Sequence, residues 1–111
     1  MLYLVQGEVV EPGMPLVAQQ FAEFVASQVL PTFERLTQLE AEGKVRAGGA
    51  LAGARATAFI VEAASNDELT ELLMSLPLWS RATWHVTPLD GFQQRIHSVR
   101  QLLERVKATL Q

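Results

Sequence analysis

The chain contains no cysteine. That excludes disulfides, thiolate nucleophiles and cysteine metal sites, and it suits a reducing compartment. Its two histidines, His85 and His97, lie twelve residues apart. Without cysteine they make a poor zinc pair, so no metal site is expected. No apolar stretch reaches the ~18 residues of a membrane span. The amino terminus lacks a basic segment followed by a long apolar run, so no signal peptide is read there. Positive charge is not in excess either: nine Lys and Arg stand against twelve Asp and Glu, a net −3. Such a balance gives no electrostatic reason to expect nucleic acid. GGALAG (48–53) has phosphate-loop glycine spacing but continues Ala54-Arg55, without the needed Lys-Ser/Thr. Neither GxGxxG nor GxSxG occurs. The expectation is a soluble, cytoplasmic protein without cofactor, nucleic-acid or membrane partner.

What is present is apolar residue in regular spacing. At 49% hydrophobic, the 111 residues suffice for one packed core and not two, so 1–111 is read as a single domain. A domain this small buries a modest fraction of its surface, so a partner subunit would help it. MLYLVQGEVV (1–10) alternates as a strand, with Tyr3, Val5, Gly7 and Val9 toward the helices and Leu2, Leu4, Gln6 and Glu8 away. Glu11-Pro12-Gly13 is a turn, and Pro15 suits the first helical position. Val17, Phe21, Phe24, Val25, Val29, Phe33, Leu36 and Leu39 keep a helical period that Pro31 interrupts. The spacing predicts one kinked helix over 16–42, ended by Gly43, with two helices broken near Leu30 as the alternative.

KVRAGGALA (44–52) reads as a second strand, and its paired glycines mark a bulge or a close approach. ATAFIVEAA (56–64) is the third. Ser65 and Glu68 form a capping box for a helix carrying Leu69, Leu72, Leu73 and Leu76 on one face. Pro77 stops it. Ser80 to Thr87 is the fourth strand. The order is that of a ferredoxin-like βαββαβ sheet spanning 1–89, an α+β class fold. Residues 90–111 form an added C-terminal helix with a second capping-box pattern, Asp90 and Gln93. Its Phe92, Ile96, Val99, Leu103, Val106 and Leu110 recur four and three residues apart, a heptad seam. This tail carries four basic residues against two acidic ones, so the acidity belongs to the rest of the chain.

Strand alternation puts Gln6, Glu8, Arg46, Gly48, Thr83, His85 and Thr87 on the face away from the helices. Glu8, Arg46 and His85 are a sensible set for proton transfer beside a carbonyl: a base, a second proton carrier and a cation to steady an enolate oxygen. Plainer roles compete with this. Glu8 pairs across strands with Arg81 on one reading. His85 is an ordinary part-buried histidine and Arg46 a solvated one. Trp79 and Trp84 read as core or interface residues, Arg55 as an exposed turn residue and His97 as surface.

SNDEL, LPLW and VTPL, with MLYLV at the start and EGKVRAGG between, occur in an order and spacing that resembles the muconolactone isomerase-like proteins over roughly Met1 to Phe92. The resemblance implies a dimeric α+β barrel, in which the open sheet face meets a partner's sheet and a pocket lies between sheet and helices, hence a homodimer or higher homo-oligomer. It also implies cofactor-independent movement of a proton in a small unsaturated lactone or carboxylic acid, in aromatic catabolism. Glu8 stands where the family has an acidic residue in its first strand, and Arg46 matches the arginine after its GK. The agreement ends at Ala47-Gly48-Gly49-Ala50, where the family is rich in His, Trp and Arg, and at His85, where it has an acid. A second function class follows from those departures: a non-catalytic oligomerising or small-ligand-binding module. Barrel monooxygenase chemistry is a third, by analogy of fold alone.

Overall fold

The computed structural model describes residues 1–10 and 14–111, so the predicted turn at Glu11-Pro12-Gly13 lies outside the described residues. Four strands form one antiparallel sheet: β1 (Leu2–Val9), β2 (Val45–Ala50), β3 (Ala56–Glu62) and β4 (Ala82–Leu89), in the order β2-β3-β1-β4. Helices α1 (Ala18–Phe24), α2 (Leu30–Ala41) and α3 (Asn66–Met74) accompany it, and α4 (Phe92–Leu110) ends the chain. This is the ferredoxin-like α+β arrangement with an added C-terminal helix.

The inward set of β1 is as its alternation predicts. Tyr3, Val5 and Gly7 are buried and join Phe59, Val61, Leu39, Val45, Leu69, Leu73 and Leu76 in the core. The Tyr3 hydroxyl donates to Asn66 Oδ1 at 2.9 Å, tying the first strand to the start of α3.

The segment around Pro31 resolves the choice between a kink and a break. The helix is continuous, but Val25–Val29 is a π turn, in which the Leu30 amide donates to Val25 O five residues back. Proline has no amide to give and its ring crowds the carbonyl four residues before it. Widening the preceding turn removes that conflict without breaking the helix. Pro15 is not the first helical residue; α1 begins three residues later, with Val17 as its N-cap. At the other end Gly43 takes φ +80°, as a helix-terminating glycine does.

α3 is capped nearly as predicted. The Glu68 amide donates to Ser65 Oγ at 3.1 Å, but the Glu68 carboxylate takes the amide of Ala64, not that of Ser65. α4 departs from prediction. Gly91 is its N-cap and makes no side-chain cap, while Asp90 pairs with Arg95 at 2.8 Å.

β2 corrects one assignment. The ladder slips between Val45 and Ala47, so Arg46 is an extra residue. Parity after it is inverted: Gly48 pairs with buried Phe59 and faces the helices, not the open side. Gly48 holds φ +150°, and a Cβ there would lie 2.5 Å from Ala58 O, so only glycine fits.

Candidate functional site

The sheet has concavities on both faces. One lies under α1, the π turn and α2, and its volume is about 280 Å³. Small residues of the strands, Gly7, Ala56 and Ala82, make its floor. Phe21, Phe24, Val25, Val29 and Phe33 make its helical wall. The π turn thus supplies two of the wall residues.

Trp84 closes one side of the cavity, and its placement depends on Gly7. The two are directly opposed in the β1–β4 register. A Cβ on Gly7 would sit 2.6 Å from Trp84 Cζ3, so the indole lies against bare backbone. Trp84 Nε1 donates to Trp79 O at 3.1 Å, the two indoles stack with centroids 6.1 Å apart, and Phe59 meets Trp84 edge-on. That lattice fixes the ring before any ligand arrives.

The polar groups of the lining are mostly spent inside the protein. Thr32 Oγ1 donates to Gln28 O and accepts from the Leu78 amide. Thr57 Oγ1 donates to Gly49 O. Arg55 is the one ionisable side chain among the described lining residues, and its guanidinium lies 5.7 Å from the Phe21 ring centre. The lining is therefore mainly apolar, a pattern that selects a small, mainly apolar molecule.

Another concavity, about 150 Å³, is on the open face and is lined by Gln6, Glu8, Leu51 and His85 among others. Gln6 stands opposite His85, and Glu8 opposite Thr83. His85 is then the diagonal neighbour of Glu8, at about 7–8 Å between strands. Glu8 is not placed against Arg81, which caps the Phe24 ring at 5.0 Å instead.

Arg46 is not brought to this pocket. It pairs with Glu62 at 3.4 Å, and Glu62 is opposite Leu2, at the far end of β1 from Glu8. Six residues of strand separate those ends, roughly 20 Å. The amino terminus also approaches Glu62, at 3.8 Å. Alternation gives the face a side chain points to; it does not give its height along the sheet, and that is where the triad comes apart. His97 is exposed on α4.

The resemblance implied a pocket between sheet and helices, but sequence reasoning did not identify its lining. The available signal was the pair of small inward-facing residues Gly7 and Ala82 beside a tryptophan. Arg55 was read as exposed, which it is, but its place at the cavity follows only from the fold.

The model of the muconolactone delta-isomerase family matches residues 1–95. The chain belongs to that family. A muconolactone isomerase crystal structure at 3.3 Å resolution is similar, with TM-score 0.66 and 25% identity over 82% of this chain and 90% of that one. A 5-chloro-2-hydroxyhydroquinone dehydrochlorinase from Burkholderia phenoliruptrix AC1100, in complex with 2,5-dihydroxybenzoquinone, shares the fold at TM-score 0.56 and 19% identity, over 82% and 95% of the two chains. No curated sequence relative matches. Among the described residues no helix is long and apolar enough to cross a membrane.

Proposed function

We propose that this muconolactone isomerase-like protein binds a small unsaturated acid or lactone in the cavity between the sheet and α1–α2. The observation that carries the reading is the lining itself: aromatic and aliphatic walls, with the threonine hydroxyls already satisfied inside the protein. The muconolactone isomerase and the quinone-bound dehydrochlorinase of like fold support a small oxygenated ring or its opened acid as the ligand class. Intrinsic fluorescence tests this, because Trp84 is a wall of the cavity. Unsaturated lactones and aromatic acids are expected to change its emission saturably. Val29→Phe, which fills the cavity from the helix side, abolishes the change while leaving the melting curve cooperative. Binding undiminished in Val29→Phe rejects the site.

The isomerase activity is the second reading, and the Glu8–His85 pocket favours it. There Glu8 takes a proton from a carbon beside a carbonyl and His85 returns one at the conjugated position, with no cofactor. Arg46 stands too far along the sheet to steady the oxygen within one chain. Turnover of an identified lactone that survives both Glu8→Gln and His85→Ala rules this pair out and leaves a binding module.

A second copy of the chain is proposed to cover the open face, giving the homodimeric barrel. Leu2, Leu4 and Ile60 are only partly buried there, and Leu89 is exposed. Such an apolar sheet face in so small a body favours a partner sheet.

A further inference from the structure

α4 is a helix without a body to lie on. Every one of its residues except Ser98 is exposed, including Ile96, Val99, Leu103, Val106 and Leu110 of the seam. The long axis of the molecule is 70 Å and its radius of gyration 19.0 Å, where a compact chain of this length has about 13 Å. This 19-residue helix leaves its amphipathic face unpacked, and in folded proteins packing of that face supplies most of a helix's stability. Something therefore covers the seam.

The geometry points to a second copy of this chain as that cover, with α4 acting as an arm laid reciprocally on the acidic body of its partner. Charge selects the body over another α4. Arg95, Arg100 and Lys107 flank the seam on both sides with no acid among the flanking positions, so two α4 helices side by side bring like charges together. Arg95, Arg100, Arg105 and Lys107 against Glu104 give the helix +3; the whole chain is −3, which leaves −6 on the remaining residues. Those two numbers are complementary, and complementary fields steer association and fix its orientation.

Area makes the exchange reciprocal. The helix is about 28 Å long and 10–12 Å wide, so one face covers roughly 300 Å². Counting both partners, one docked arm buries about 600 Å², and two arms about 1,200 Å², the lower bound for a specific interface. Most of the arm, residues 96–110, also lies beyond the family match, which ends at residue 95. That part is an addition to the matched fold. The inference assumes self-association, as the dimer reading does, but it concerns a different surface, and the test separates them.

The experiment is sedimentation of the full chain across the micromolar range, beside three variants. Val99→Glu with Leu103→Glu is expected to weaken the dimer by about tenfold or more, with the body's melting transition kept because these side chains face solvent. Arg95→Glu with Arg100→Glu and Lys107→Glu is expected to weaken it as well, since the arm then carries the sign of its target. Ile60→Glu reports on the sheet face alone. An unchanged mass for the seam variant overturns the arm, and if Ile60→Glu still splits the dimer the sheet interface stands without it. A seam variant that dissociates while the charge-reversed one does not overturns docking on the body, because two reversed α4 helices repel no more than two native ones. Single chains throughout the range overturn both interfaces.

Discussion

α3 and α4 carry the same signals in sequence and meet different fates. Each opens on a capping-box pattern, Ser65/Glu68 and Asp90/Gln93, and each repeats apolar residues along one face. α3 buries Leu69 and Leu73 in the core, while α4 buries nothing. The caps diverge likewise. Ser65 is extended and receives the Glu68 amide, whereas before α4 the N-cap position falls to Gly91 and Asp90 turns to Arg95. Periodicity therefore reports that a helix has an apolar face; it does not report what lies opposite. For α3 the cover is the chain's own sheet, and the N-terminal turn is held there by Asn66 accepting from the buried Tyr3. For α4 the connection from β4 is only Asp90-Gly91, which points the helix away from the body.

The contrast can be broken most directly by the same truncation in both helices. Leu73→Ala should cost about 2–5 kcal/mol in denaturant unfolding, because it opens a cavity in the core. Leu103→Ala should cost within about 0.5 kcal/mol at dilutions where the chain is single, since its side chain is already wet. Equal costs would mean that α4 packs on its own body. The link from β1 is the next largest effect. Tyr3→Phe should lose about 1 kcal/mol, leaving Asn66 Oδ1 without its donor. The caps should differ in the same direction but by less. Ser65→Ala is expected to cost about 1 kcal/mol, whereas Asp90→Ala removes only an exposed ion pair, worth a few tenths of a kcal/mol. The second of these should vanish at high salt, and the first should not. Amide exchange should show the same order, with α3 protected in a dilute sample and α4 protected only as concentration rises.

The two faces of the sheet teach a related lesson about the site. The open face was legible in β1 and β4, where Gln6, Glu8 and His85 fall together as alternation requires. It was illegible in β2, because the extra residue at Arg46 inverts the parity of everything after it. A bulge leaves little trace in sequence beyond a glycine pair, and Gly48-Gly49 marked the place without saying which way the strand turned. The helix-side cavity was implied by the family resemblance, but its lining was not legible in the residues. It depends on an inward glycine meeting a tryptophan of another strand, and that opposition is a matter of register between segments about seventy-five residues apart.

The residues alone determined the elements and their order. Alternation of period two, stripes near period 3.6, Gly43 after α2 and Pro77 after α3 are local instructions that act within a few residues. The likeness to the muconolactone isomerases was also there to be read, in short blocks that are mainly caps, turns and strand ends. Tertiary structure decided what those elements face. The slip at Arg46 and the indole seated on Gly7 depend on contacts between distant segments, and the exposure of α4 on their absence; the π turn before Pro31 is the local exception. Local rules fix a backbone's shape through sterics and nearby hydrogen bonds, whereas burial is settled only when remote surfaces compete for one another.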